Sequence, residues 1–299
     1  MNRGYTYTEC IDDSGAGQAL VAYLTARYRH ASHDEWLAHI GAGRVSLDGI
    51  VAHADIVLVA EQRLEYRRPS WDEPEAPLDC PVLYDEGGVL VVYKPAGLPT
   101  MASGLFLEHT LLRQVALTDP EAAPLHRLDR WTSGAVICGR TQAVRAAITK
   151  QFVQKAVQKR YRTLASGVID ADFDVNIPIG PVPYAPMGTV HAASAAGRPA
   201  STRVTVIERR ADSTLCDVAI FTGRPHQIRI HLAAAGHPLV GDPVYGLGGL
   251  PLPGCLAVPG DPGFSLHAAS IGFRHPETGE HVVVEAPLPP WAQRTVGET

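Results

Sequence analysis

The sequence predicts an α+β protein in two parts, and three observations carry that expectation. Short β-branched runs and helical stretches follow one another without strict strand–helix–strand alternation. The 299 residues, 45% hydrophobic and 19% charged, suffice for one large core and a small appendage. Ser70 to Pro77 is rich in proline and acid, so it does not continue a helix or a central strand. The expected domains are 1–75 and 76–299.

In the first part, 17–29 and 34–42 have helical character, and Gly43 suits a helix end. Val45–Leu47 and Ile50–Ala52 flank Asp48-Gly49, a pair that accepts the positive φ of a type I′ turn, so a hairpin is expected. Arg63 to Arg67 reads as a further strand. In the second part, Gly88 to Tyr93 and Ala135 to Cys138 are β-branched, buried-strand runs. Thr141 to Val157 has helical spacing, with Val144, Ile148, Phe152 and Val153 on one side. Lys159 to Ala165 reads as a strand with Tyr161 and Thr163 on one face. Ser201 to Glu208 and Thr214 to Phe221 read as paired strands. Pro225 to Ala235 reads as a helix with proline in its first turn and Gly236 just past its end.

Composition narrows the function. The five cysteines are scattered and form no CxxC pair, which disfavours a zinc site or a disulfide framework. Met1 to Asp13 lacks the basic start and apolar stretch of a secretory signal, and no apolar run approaches the roughly 20 residues that cross a bilayer. A cytoplasmic protein with no membrane partner is expected. The net charge of −5 argues weakly against nucleic acid, yet it hides segregation. Between Arg127 and Ile169 the only acid is Asp129, among Arg127, Arg130, Arg140, Arg145, Lys150, Lys155, Lys159, Arg160 and Arg162.

Four segments can carry chemistry. HRLDRWTSG at 126–134 sets Asp129 between Arg127 and Arg130. Positive neighbours favour an ionised carboxylate, which can act as nucleophile or base, and Thr132, Ser133 and Gly134 suit a loop that holds it. On charge alone, a solvated Arg–Asp cluster is the commoner reading. In TGRPHQIRIH at 222–231, His226 and His231 lack the i, i+4 spacing of a metal pair, so hydrogen-bonding or phosphate-contacting roles are expected. A basic helix end is an equal alternative. Lys159-Arg160-Tyr161 offers cations for phosphate and a ring for a base, although a strand tyrosine is more often core. GHPLVGDPVYG at 236–246 reads only as a tight loop. No GxGxxG, GxxxxGK[ST] or G-x-S-x-G run is present to support a nucleotide cradle or a serine hydrolase.

Taken in order, these segments resemble the RluA family of RNA pseudouridine synthases, over about Pro81 to Pro287. Lys94-Pro-Ala-Gly-Leu-Pro99 precedes them, and Leu266-His267-Ala268 with Phe273-x-His275-Pro276 closes the series. The sequence departs from the pattern at Pro225, where threonine is usual, and at Tyr93, where asparagine is frequent. The resemblance implies a pseudouridine synthase fold with a mixed, mainly antiparallel central sheet flanked by helices. It implies isomerisation of uridine in RNA, with the uracil detached from C1′, rotated and rejoined through C5. It assigns Asp129 as the catalytic carboxylate, Tyr161 as a ring against the uracil and a proton acceptor, and Arg229 as the partner of Asp129. Arg127 would occupy the space left by the extruded base, and His126, Arg130, Lys159, Arg224, His226 and Gln227 would contact substrate. The scheme requires no metal or cofactor.

Residues 1–75 are similar to a degenerate S4-like RNA-binding domain, on Ile40-x-Ala-Gly43-x-Val45-x-Leu-Asp-Gly49 and Arg63-Leu-Glu-Tyr66, although Met1 to Asp79 contains no lysine. That unit tilts the expected substrate toward 23S-type ribosomal RNA over transfer RNA, and a monomer is expected. Two other readings stand beside this one. A non-catalytic RNA-binding or ribosome-assembly factor would be free to lose Asp129, Tyr161 and Arg229, and a glycosidic hydrolase would need a second carboxylate.

Overall fold

The computed structural model describes residues 1–28 and 31–295. It divides into two compact units, Met1–Glu73 and Pro74–Thr299.

The first unit runs β1 (Tyr5–Cys10), α1 (Leu20–Arg27), α2 (His33–Gly41), β2 (Val45–Leu47), β3 (Ile50–Val51) and β4 (Arg63–Arg68). Its strands pair in the order β1-β4-β2-β3. Helix α1 is shorter than expected because Gly15 and Gly17 lie in the turn before it, Gly17 at φ +83°; Arg29 lies outside the described residues. Ser32 caps α2 reciprocally with Glu35. Asp48 and Gly49 both take positive φ, 49° and 81°, as the tight β2–β3 turn demands. Leu20, Leu24, Trp36, Val45, Leu58 and Leu64 form this unit's own core.

The second unit is built on a ten-stranded sheet. In chain order it contains β5 (Val82–Glu86), β6 (Val89–Lys94), α3 (Leu111–Thr118), β7 (Ala123–Pro124), β8 (Ser133–Gly139), α4 (Gln142–Val153), β9 (Gln158–Ser166), β10 (Phe173–Val175), β11 (Ile179–Tyr184), β12 (Gly188–Ala193), β13 (Thr202–Arg209), β14 (Ser213–Ile220), α5 (Gln227–Ala234), β15 (Tyr245–Gly246), β16 (Leu250–Pro251), β17 (Leu266–Arg274) and β18 (His281–Glu285). The main path is β10-β13-β14-β9-β17-β8-β6-β5, with β18 on β17 and β7 on β8. Among the described residues only β17–β8 is parallel, so the sheet is mixed and mainly antiparallel, as the resemblance implied.

Strand alternation makes two cores from one sheet. Val89, Val91, Ala135 and Ile137 face Val144 and Ile148 of α4. Leu90, Val92, Val136 and Cys138 face the opposite layer, with Leu111 and Val115 of α3 and Ile228 and Leu232 of α5. Helices therefore cover both faces, and β6 and β8 read as continuous apolar runs for that reason.

Two helices differ from expectation. Helix α4 stops at Val153, because Lys155 takes φ +58° and Val157 turns inward ahead of β9. Helix α5 begins at Gln227, and Pro225 lies in the turn before it instead of in its first turn. His226 supplies the bend, at φ 53° and ψ 22°, in the left-handed region uncommon outside glycine.

Candidate active site

The loop carrying Asp129 is fixed from several sides. The Thr100 hydroxyl donates to the Leu128 carbonyl at 2.8 Å and accepts from the Leu128 amide at 3.1 Å. The Lys94 ammonium is fully buried and gives its protons to the carbonyls of Pro95, Leu98 and Arg130, at 2.9, 2.7 and 3.1 Å. Burial pushes its pKa down to about 7, against which the Asp129 charge pulls upward. The Thr132 amide closes the turn on the Asp129 carbonyl at 3.0 Å. Gly134 then enters β8 at φ +117°, where a Cβ would lie 2.2 Å from the Ala268 carbonyl oxygen of β17. The glycine of HRLDRWTSG is thus required by the close approach of the one parallel strand pair.

Asp129 opens into a cavity of about 820 Å³. The walls come from residues 125–129 and Thr132, the end of α4, Lys159 and Tyr161 of β9, and the segment from Ile220 to Ile228. Among the described residues the Asp129 carboxylate accepts no hydrogen bond, and its nearest cationic-capable neighbour is His226, Nε2 to Oδ1 3.9 Å. The sequence expectation that Thr132 and Ser133 hydroxyls hold the carboxylate is not met. Among the described residues Thr132 Oγ1 is buried without a hydrogen-bond partner, and Ser133 Oγ lies 2.8 Å from His267 Nδ1.

The expected Arg229–Asp129 pair is also not formed. Arg229 is fully buried, and its Nε and Nη2 donate to the two oxygens of Asp242 at 2.7 and 2.8 Å. Nη1 donates to the Pro259 carbonyl at 2.9 Å, and the guanidinium stacks 4.0 Å from the Phe264 ring centroid. A buried guanidinium needs a bidentate, equally buried acceptor, and Asp242 is 1% exposed against 24% for Asp129.

The other sequence-derived residues divide. Arg127, Lys159, Tyr161, Arg224 and His226 line the cavity with Asp129. Burial and the nearby Asp129 charge both push the Tyr161 phenol upward, so it stays protonated at neutral pH. Burial lowers the Lys159 ammonium. Arg130 does not reach the cavity; its Nε donates to the Gly97 carbonyl at 3.0 Å and its guanidinium lies over Phe106. His126 lines the wall, but its Nε2 accepts from the Ile137 amide at 3.0 Å and burial drops its pKa to about 3. It is a neutral strut and no phosphate-binding cation. Gln227 also lies at the wall with its amide occupied. Its Oε1 accepts from the Thr222 hydroxyl and the Arg224 amide, and its Nε2 donates to the Ser201 carbonyl and Thr202 Oγ1.

The basic stretch is likewise not one face. Asp217 holds Arg160 and Arg162, and Asp85 and Asp119 hold Arg140. Lys155 reaches the cavity, and Phe221, 53% exposed, stands at its mouth. Sequence reasoning assigned no role to Phe221, Lys94, Asp242 or Tyr245. The tight-loop glycines and prolines around Asp242 and Tyr245 were the available signal, but they say nothing of what the loop grips.

Comparison with known proteins gives the family. The sequence pattern of RNA pseudouridylate synthases matches residues 88–234, which include Asp129, Tyr161 and His226. An uncharacterized RNA pseudouridine synthase of Synechocystis sp. is 38% identical over 91% of this chain and 94% of its own length. RNA pseudouridine synthase 5 of Oryza sativa is 34% identical over 97% of this chain and 88% of its own. Ribosomal large subunit pseudouridine synthase D of Neisseria meningitidis serogroup B is 33% identical over 92% and 76%. The solved structure of human RNA pseudouridylate synthase domain containing 1 superposes with a TM-score of 0.59 at 25% identity, over 74% of this chain and 89% of that one. This chain belongs to the RNA pseudouridine synthase family, in its RluA-type branch. It is an isomerase that converts uridine in RNA to pseudouridine.

Proposed function

We propose that Asp129 is the catalytic carboxylate of this isomerase and that its substrate is large-subunit ribosomal RNA. The observation that carries the first part is the position of Asp129. It is a partly exposed carboxylate without a hydrogen bond among the described residues, in a cavity of about 820 Å³ shared with Tyr161 and rimmed by Arg127, Lys155, Lys159 and Arg224. A stacked or paired uridine must leave its helix to be modified, and such a cavity accepts a flipped nucleotide while the rim cations meet its phosphates. Asp129 then assists departure of uracil from C1′. The buried face of Tyr161 packs on the base as it turns, and its protonated hydroxyl suits it to donate a hydrogen bond. Arg127, exposed at the edge, is positioned to fill the gap in the RNA stack. Resemblance to the Neisseria enzyme, whose name specifies the large ribosomal subunit, supports the choice of RNA.

Tritium at uridine C5 is released on isomerisation, so C5-tritiated cellular RNA is the test substrate. Asp129→Asn is expected to drop release to background; release equal to wild type refutes the assignment. Mapping pseudouridines in a deletion strain tests the RNA. Loss is expected at large-subunit ribosomal positions, and loss confined to transfer RNA overturns that choice.

A further inference from the structure

The hydrogen bonds around His226 fix which of its nitrogens faces the cavity. Tyr245 Oη donates its only proton to the His191 carbonyl at 2.8 Å. His226 Nδ1 lies 2.7 Å from the same Oη, so Nδ1 carries hydrogen and Oη accepts it. In the neutral ring the lone pair then sits on Nε2, which lies 3.9 Å from Asp129 Oδ1 in the cavity wall. Two acceptors therefore confront each other across a gap that substrate enters.

Pseudouridine formation needs a proton acceptor distinct from the group that works at C1′. After C5 bonds to C1′, that carbon carries both the sugar and its original hydrogen, and the hydrogen must leave. Among the titratable groups lining the cavity, few can take it. Burial keeps the Tyr161 phenol protonated. The lone pair of His126 is already taken by the Ile137 amide. Lys159 directs its Nζ to the Thr222 carbonyl at 3.5 Å. Among the described residues, His226 is the group that sets an uncommitted nitrogen lone pair within 4 Å of Asp129.

We propose that His226 is a second catalytic base, accepting at Nε2 the proton released from C5. The C5–H electron pair restores the C5=C6 double bond, the C6=N1 pair returns to N1, and N1 takes up a proton. The imidazolium formed at His226 gives its proton to N1 or to solvent, so atoms and charge balance. Asp129 faces that imidazolium and stabilises it, and Asp242 acts in the same sense. Burial, Arg229 and His191 oppose it, which keeps the ring neutral and ready to accept at physiological pH.

The proposal rests on the cavity of Asp129 being the active site, and the left-handed backbone at residue 226 supplies a test that separates the two. Glycine adopts φ 53° without strain, so His226→Gly removes the ring, leaves the turn and opens a slot for free imidazole. Tritium release from C5-labelled cellular RNA is expected to fall about 100-fold or more in His226→Gly. Added imidazole is expected to restore it roughly tenfold or more, increasingly as pH rises and more imidazole is neutral. His226→Gln is expected to be as slow and not rescued. Release from His226→Gly close to that of wild type, or a loss that imidazole does not relieve, overturns the proposal while leaving the isomerase site intact. Asp129→Asn at wild-type rate removes the site and this proposal together.

Discussion

The placement of Arg229 predicts a large and unequal response to two aspartate substitutions. Asp242→Ala removes both carboxylate oxygens from a guanidinium that is fully buried. It also strips the acceptor of the Val244 and Tyr245 amides, which donate to Asp242 Oδ1 at 2.9 and 3.0 Å. Breaking a buried pair from one side costs about 3–5 kcal/mol, because the remaining charge stays in the interior uncompensated. Against a typical stability of about 5–15 kcal/mol, the variant is folded but weakened. With a urea slope of about 2 kcal/mol per molar, the midpoint falls by roughly 2 M. Asp129→Ala removes a carboxylate that is 24% exposed and has no hydrogen bond among the described residues, and is expected to shift stability by no more than about 0.5 kcal/mol. Arg229→Met combined with Asp242→Ala is expected to recover part of the loss, since neither charge is then left buried alone. Urea unfolding followed by tryptophan fluorescence measures all four proteins. An Asp242→Ala cost under about 1 kcal/mol, or an equal cost for Asp129→Ala, refutes the pairing.

Two further outcomes follow from the same geometry. Burial holds the folded-state pKa of His126 near about 3 and that of His267 near about 4, both below the value of 6.5 for a free ring. The unfolded chain therefore binds protons first, so stability falls as pH drops below about 6.5, by up to about 1.4 kcal/mol per pH unit for each ring. His126→Gln keeps an acceptor for the Ile137 amide without titrating, and urea midpoints from neutral to mildly acidic pH should show a shallower decline; an unchanged decline contradicts the assignment. Gly134→Ala places a Cβ 2.2 Å from the Ala268 carbonyl at φ +117°, and is expected to lose at least about 3 kcal/mol in thermal melts. A melt within a degree or two of wild type would mean that β17 and β8 are not so closely apposed.

The sequence made some of this legible and hid the rest for identifiable reasons. Strands β6 and β8 are covered by helices on both faces, so they appear as uninterrupted apolar runs. Strands β11 and β12 did not announce themselves, because Pro181 and Pro183 read as breakers. In a two-stranded ribbon those prolines are tolerated where their missing amides would face no partner. Val82–Glu86 was hidden for a different reason: an edge strand with a polar, partly exposed face has no strong period. The cavity residues Asp129, Tyr161 and His226 come from three segments far apart in sequence. Nothing within any one segment shows that they meet, and only the ordered resemblance joined them.

The partner of Arg229 was misread because the resemblance supplied a pair without its geometry. Arg229 and Asp242 are 13 residues apart, joined through the end of α5 and a loop of glycine and proline whose grip is invisible in one dimension. Placing the ion pair in the scaffold changes its part in the proposed mechanism. Asp242 fixes the Tyr245 amide, the Tyr245 hydroxyl fixes the tautomer and rotation of His226, and His226 faces Asp129. In the proposed mechanism Arg229 acts on Asp129 through that chain, as a positioning residue and not as a direct counter-ion. Substitutions that weaken the pair while leaving the protein folded should misplace His226 first, lowering turnover before they loosen RNA binding at the Lys155, Lys159 and Arg224 rim.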